Sequence, residues 1–258
     1  MTNRYTSLEN AVRILKSFSD RQPEYGVSEL SEKLQLGVST THRLLISLAE
    51  EGFVVKNKET NKYTLGLSIL ELTNTVTEQM HIIRESFPIL QQLTNKTGES
   101  SQINIIDSTD VFCLQKIESP YDHSLEFHLG KRAPVHCTSA GQTILAYQSE
   151  QEIQQFLSPP LESFTRFTLT DSNQIKAKLA QIKKDGYAVS NQEYEDNVFT
   201  VSAPVYNKNN TVVASITIVG PAQRMKPRKK LLIENTMTAV QTLSSIIKKR
   251  QSASLRKG

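Results

Sequence analysis

The sequence predicts an α+β chain of two units: three short helices with a β-hairpin, then strands and helices built around an antiparallel sheet. Three observations carry this. Apolar residues recur at helical spacing through residues 8–49 and stop at Gly52. Two β-type runs, Phe53–Lys56 and Lys62–Gly66, then flank the polar stretch Asn57–Asn61. Past residue 100, β-type runs alternate with helix-type ones. A length of 258 residues suits two domains of ordinary size.

Leu8, Ala11, Val12, Ile14, Leu15 and Phe18 make one helical face, predicting a first helix over Leu8–Ser19 with Ser7 as N-cap. Pro23 and Gly26 break the chain. Ser28 then caps a short second helix on which Leu30 and Leu34 share a face. Gln35-Leu36-Gly37 reads as a tight turn in which Gly37 is free to take positive φ. Ser39 is set to cap a third helix with Leu44, Leu45, Leu48 and Ala49 inside, leaving Ser39, Thr40, His42 and Arg43 outside. Gly52 is its stop.

A short helix, a tight turn and a helix with an exposed polar first turn make a helix-turn-helix. Such a unit packs its leucines inward and offers the start of its last helix to the major groove of DNA. Arg43 is the leading candidate for a base or phosphate contact, with Ser39, Thr40, Thr41 and His42 beside it and Ser28 on the preceding helix. The following hairpin makes a wing whose Lys56, Lys58 and Lys62 are placed to touch phosphate. Net charge is +4, but residues 1–78 hold nine Lys/Arg against ten Asp/Glu, a net of −1. Residues 224–258 hold ten against one, a net of +9. The DNA reading therefore rests on pattern, and the basic C-terminal segment reads as a solvated, partly frayed helix end.

Several function classes fall away. No run of about 18 apolar residues could span a membrane, and the N-terminus lacks the apolar core of a signal peptide, so the expected location is the cytoplasm. Cys113 and Cys137 stand apart from any paired metal-ligand spacing and read as small buried hydrophobes. His123, His128 and His136 lie close in sequence without a recognised ligand spacing, so neither metal nor cofactor is expected. No phosphate-cradling glycine loop, dinucleotide fingerprint, nucleophile elbow or zinc-protease pair occurs, which argues against an enzyme. The carboxylates Asp107/Asp110 and Glu193/Glu195/Asp196 are explained by a turn and a solvated loop.

At this point the residues resemble the IclR family of bacterial transcription regulators. Ser7–Ala11 is similar to that family's opening, Val27–Leu30 with Val38–Leu45 to its helix-turn-helix, and Glu51-Gly52-Phe53 with Tyr63–Gly66 to its wing. The likeness continues through Thr97–Ser100, Gly130–His136, Thr138–Gly141, Gly186–Val189, Ser202–Val205 and Gly220-Pro221. Two stretches depart from the pattern. Ser190-Asn191 stands where the family usually has an acidic pair, and Asn197–Thr200 where it often has Gly-Val-Arg-Cys.

The resemblance implies a winged helix-turn-helix domain over 1–66, a linker helix over 67–80 and a GAF-like effector-binding and oligomerisation domain over 81–258. Within the last, a helix is predicted over Ile82–Lys96 with Pro88 inside it. Strands are predicted at Gln102–Ile106, Val111–Ile117, Ser124–Leu129, Val198–Tyr206 and Thr211–Val219, and helices at Ser139–Tyr147, Asn173–Lys184 and Pro227–Lys249. Thr138-Ser139-Ala140-Gly141 opens a helix, where exposed backbone N–H groups suit a carboxylate or phosphate, although plain capping needs the same residues. The resemblance places Leu125, Ala133, Ser139, Ala140, Ser190, Val198, Thr200, Thr217 and Val219 around a small-molecule cup. The resemblance implies an organic acid or other small polar metabolite as the effector; the set holds no Lys or Arg, so a small polar or weakly acidic one fits it better than a dianion.

The expected function is a ligand-responsive DNA-binding regulator, a repressor acting as a homodimer or homotetramer on an operator. The alternatives are a protein-interaction module with a degenerate helix-turn-helix, or a metal-binding sensor.

Overall fold

The computed structural model describes residues 5–19, 21–121, 130–158 and 160–254. It divides into two compact units, Met1–Met80 and His81–Gly258. The expected strand Ser124–Leu129, with His123, Leu125 and His128, lies outside the described residues. Among the described residues no helix is long and apolar enough to cross a membrane.

The first unit contains α1 (Ser7–Leu15), α2 (Val27–Leu34), α3 (Val38–Glu50), β1 (Val54–Lys56), β2 (Tyr63–Leu65) and α4 (Ser68–Gln79). Ile14, Leu30, Leu45, Val54 and Tyr63, one from each of α1, α2, α3, β1 and β2, form its core with Tyr25 of the α1–α2 connection, and Leu34, Leu44 and Leu48 pack around them. Polar staples reinforce the packing. Arg13 donates to Asn10 Oδ1 at 3.0 Å and to the Leu34 carbonyl at 3.2 Å, tying α1 to the end of α2. Lys33 reaches the Tyr25 hydroxyl and the Ser17 carbonyl.

The helix starts correct the expectation by one or two positions. Thr6 caps α1 instead of Ser7, because a reciprocal cap needs a carboxylate three residues on and Glu9 supplies it. The Thr6 hydroxyl accepts from Glu9 N–H (3.2 Å) and the Glu9 carboxylate accepts from Thr6 N–H (2.6 Å). The helix ends at Leu15, short of Ser19, whose backbone pairs with Gln22. Ser28 lies inside the first turn of α2, whose preceding Gly26 N–H is held by the Glu29 carboxylate at 2.7 Å. The left-handed residue of the turn is Gln35 (φ 54°), whereas Gly37 is extended (φ −65°) and starts α3. Since α2 stops at Leu34, the residue after it must reverse the chain. Gly52 (φ +72°) follows α3 as expected. The wing pairs Val54 with Leu65 and Lys56 with Tyr63.

The second unit follows as α5 (His81–Thr97), β3 (Ser100–Asp107), β4 (Asp110–Ile117), β5 (Arg132–Pro134), α6 (Ser139–Leu145), α7 (Glu150–Phe156) and α8 (Ser172–Asp185). It closes with β6 (Ala188–Asn191), β7 (Val198–Tyr206), β8 (Val212–Pro221), the short α9 (Ala222–Met225), a 3₁₀ turn at Lys226–Arg228, and α10 (Lys229–Ser254). The described strands form one antiparallel sheet in the order β5-β4-β3-β8-β7-β6. The short elements β5, α7, β6 and α9 were not expected; three- and four-residue strands leave too few alternations to register as a period. The helix α5 runs unbroken through Pro88.

The two faces of this sheet are unlike. Ile103, Val201, Ala203, Val205, Ile216 and Ile218 point to one side and join Leu90, Leu93, Leu232 and Leu243 of α5 and α10 in the main core. On the other side, where α6 packs, the period-two neighbours are Gln102, Asn104, Ser190, Ser202, Ser215 and Thr217, all buried. A separate apolar cluster from α6, α7 and α8, including Leu145, Ile153, Ile175 and Leu179, closes that side.

Four basic residues of the C-terminal segment are engaged by the second unit. Glu99 is fully buried and receives Arg224 at 2.7 and 2.9 Å and Arg228 at 3.3 Å. Arg250 pairs with Glu85, and Lys248 donates to Asn210 Oδ1.

Candidate functional site

In the first unit, α3 presents Ser39, His42 and Arg43 to solvent and Thr40 in part, while Leu45 is fully buried beneath them. Among the described residues no hydrogen bond or ion pair engages Arg43. The residue before α3 is Gly37, which offers no side chain to cap its first amides. A helix start with open N–H groups and a guanidinium beside it attracts phosphate. Thr41 departs from its expected place. It is fully buried, and its hydroxyl donates to the Gly37 carbonyl at 3.1 Å, so it braces the turn and faces away from solvent. Ser28 is exposed. On the wing, Lys56 and Lys58 are exposed, whereas Lys62 is engaged by Glu29 at 3.2 Å and Glu24 at 3.8 Å. Lys62 therefore orders the wing against α2.

In the second unit, a small cavity opens between the polar face of the sheet and the start of α6, with about 50 Å³ of room for water-sized occupants. Seven of the expected residues line it: Ser139, Ala140, Ser190, Val198, Thr200, Thr217 and Val219. Ala133 is buried on β5 and does not line it. Leu125 lies outside the described residues. The register explains the convergence: Thr200 pairs with both Ser190 and Val219, and Thr217 with Gln102. The Ser139 and Thr200 hydroxyls share a hydrogen bond of 2.6 Å, joining α6 to the sheet. Asn104 donates to Thr217 Oγ1 at 3.1 Å, and Thr217 shares a bond with Ser202 at 2.9 Å.

The start of α6 is not the open cradle that its small residues suggested. Residues Ser139 to Leu145 are all buried, and Thr138 accepts from Gly141 N–H (3.3 Å) while donating to the Pro134 carbonyl (2.8 Å). Capping accounts for Thr138. Gly141 serves close approach, since a Cβ there would stand 2.5 Å from the Val135 carbonyl oxygen.

Six lining residues were missed, Gln102, Val111, Cys137, Glu193, Tyr194 and Glu195, while Thr138, read with the start of its helix, lines it too. The loop carrying Glu193, Tyr194 and Glu195 is not solvated as expected. Glu193 is buried, ion-paired with Lys178, and accepts from Gln142 Nε2 at 2.9 Å. Thr165 and Thr168 donate to the Gln192 and Glu193 carbonyls, both at 2.6 Å, and the Phe164 ring lies 5.1 Å from that of Tyr194. The signal available for this strap was the Ser/Thr-rich stretch 163–168, whose partners are too distant in sequence to name in advance.

Both cysteines are buried, and burial pushes their thiols up to about 12, so they act as small apolar groups. His136 packs against Phe164 and bonds the Glu162 carbonyl at 3.0 Å. Among the described residues no group of three His, Cys, Asp or Glu is placed to hold a metal ion.

Comparison with known proteins agrees with this layout. Residues 7–58 match the IclR helix-turn-helix domain model, and residues 74–246 match the model for the C-terminal region of bacterial IclR regulators. The chain is 30% identical over 213 residues to the HTH-type transcriptional regulator XynR of Escherichia coli, covering 82% of this chain and 84% of that one. It is 25% identical to the transcriptional repressor IclR of the same organism, covering 87% and 83%. The crystal structure of Thermotoga maritima IclR superposes with a TM-score of 0.81 at 26% identity, covering 94% of this chain and 98% of that one. The chain belongs to the IclR family of bacterial helix-turn-helix transcriptional regulators.

Proposed function

We propose that the chain is a cytoplasmic, ligand-responsive repressor that binds an operator through α3 and its wing and a small molecule through the cup in its second unit. The carrying observation is the start of α3, solvent-facing, uncapped by a side chain and flanked by Arg43, in a chain whose relatives are transcriptional regulators. Ser28, Ser39, Thr40, His42, Arg43, Lys56 and Lys58 form the proposed DNA face, with Thr41 and Lys62 supporting it from behind. No catalytic step is assigned.

One helix-turn-helix touches few phosphates, so useful affinity calls for two or more copies on a repeated site. Leu8 and Val12 on α1 and Leu67, Leu70, Leu72 and Val76 on or beside α4 are exposed, and apolar surface of that extent suits a second copy of this chain. The ligand must bind the DNA-competent and incompetent states with different affinity, since otherwise it shifts nothing.

The test is a titration of the full chain on DNA flanking its own gene at several salt concentrations, beside Arg43→Ala, with the mass of the complex measured. The expected result is a complex of two or four chains that weakens steeply with salt and loses about 100-fold in affinity in the variant, within the range of one bidentate base contact. Equal affinity of the variant would remove Arg43 from the interface. A single chain per site would remove the oligomer. No binding here or in random-sequence selection would leave the interaction-module reading.

A further inference from the structure

The buried polar face of the sheet supports a statement about which class of molecule the cup takes. Buried sheet faces are ordinarily apolar, because an unbonded hydroxyl or amide taken from water is costly. Here Gln102 and Asn104 of β3, Ser215 and Thr217 of β8, Ser202 of β7 and Ser190 of β6 are all buried on one side.

Their mutual hydrogen bonds satisfy part of this demand. Asn104 donates to Thr217, Thr217 and Ser202 share a bond, Ser139 and Thr200 share another, and Ser215 donates to the Ala140 carbonyl. A hydroxyl offers one donor and two lone pairs, so each shared bond leaves capacity unused. Asn104 is fully buried and its Oδ1 has no partner at all. The unused capacity lies at and beneath the cavity wall, where Ser139, Ser190, Thr200 and Thr217 stand beside the Gln102 amide.

The charges point the same way. Among the described residues no Lys or Arg lines the cavity, whereas two carboxylates, Glu193 and Glu195, do. Lys178 is already paired with Glu193. Of the first amides of α6, that of Gly141 is taken by the Thr138 hydroxyl. A ligand carboxylate would thus be buried beside like charge with no cation to balance it. Ligand hydroxyls both donate and accept, and so match a wall of hydroxyls and an amide in either role.

We propose that the effector is a small uncharged polyhydroxylated molecule, an alditol, cyclitol or monosaccharide, held by the Ser139–Thr200 hydroxyl pair together with Thr217 and Gln102. This deepens the proposed function and rests on its reading of the cup as the effector site.

The test is calorimetry on the full chain with matched neutral and acidic probes: erythritol, xylitol, D-glucitol, myo-inositol and D-glucose against erythronate, D-xylonate, D-gluconate and D-glucuronate. At least one neutral probe is expected to bind, and its acid at least ten-fold more weakly. The near-isosteric Thr200→Val should weaken the neutral probe about ten-fold, because a polar ligand group is then left unpaired. Acids binding as tightly as their neutral partners, or no neutral probe binding at 20 mM, overturns the ligand class. Ser139→Trp and Val198→Phe, two ways of filling the cup, separate this from failure of the site. If either folded variant binds its probe undiminished, the cup is not the effector site; if acids bind and both variants abolish that binding, the site stands and the ligand class falls.

Discussion

Two helix starts in this chain are written in nearly the same letters and do opposite work. The helix α3 opens Gly-Val-Ser-Thr-Thr, and α6 opens Thr-Ser-Ala-Gly-Gln. Both combine short hydroxyls with glycine, and both were candidates for binding something. In α3 the first turn is open to solvent except for Thr41, and no side chain caps it. In α6 the helix is buried from end to end, capped by Thr138, and pinned to the sheet through Ser139. Residue types thus announce a helix start. Whether it meets solvent or lines an interior wall depends on what packs around it.

The largest test of this contrast is Gly141→Val. Its Cβ would meet the Val135 carbonyl oxygen at 2.5 Å and the Val111 side chain at 2.7 Å, so the expected cost is about 3 kcal/mol from overpacking. Scanning calorimetry should show it in the transition of larger enthalpy, that of the larger unit. An unmoved transition would mean that the start of α6 is looser than its burial indicates.

A smaller effect separates neighbours within α3. Thr41→Ala should destabilise the first unit by about 1 kcal/mol, since a buried hydroxyl bond is lost. Thr40→Ala should leave stability within about 0.5 kcal/mol while weakening operator binding several-fold. The reverse pattern in urea melts and titrations would exchange their roles.

The smallest effect concerns acid. The carboxyl of Glu29 is held below its ordinary value, first by the Gly26 N–H and then by Lys62. A lowered carboxyl contributes stability above its unfolded pKa, near 4.5, and loses it as pH falls through the folded value. The wild-type urea midpoint should therefore exceed that of Glu29→Gln at pH 7, with the gap narrowing as pH falls below the ordinary value of 4.5. A gap that persists at pH 3 would show that Glu29 acts by packing.

Legibility differed between the units. In the first, each helix, the wing and the solvent-facing residues of α3 could be read, because the signals are local: a 3.6-residue period, Gly52, and a polar hairpin turn. The errors were of one or two positions at the N-caps, where Thr6 and Ser7 differ only in which one has Glu9 three residues on, of four residues at the end of α1, and of Thr41, which is buried and not on the solvent face. In the second unit, β7 matched its expected bounds and α8 lay within one residue of them. The positions Ser190, Thr200 and Thr217 came from family likeness, since nothing local marks a threonine in a strand as facing a cavity.

The pattern of residues along the chain settled the helix-turn-helix, the wing and the alternating strands, since each depends on neighbours within about a dozen positions. It also settled that Gln102, Thr200 and Thr217 are polar residues in β-type runs. That these gather around one cavity, that Glu193 and Tyr194 join them, and that Glu99 absorbs two of the C-terminal arginines followed from the sheet. Register brings residues 102, 190, 200 and 217 side by side, and pairing between strands a hundred residues apart leaves no local trace.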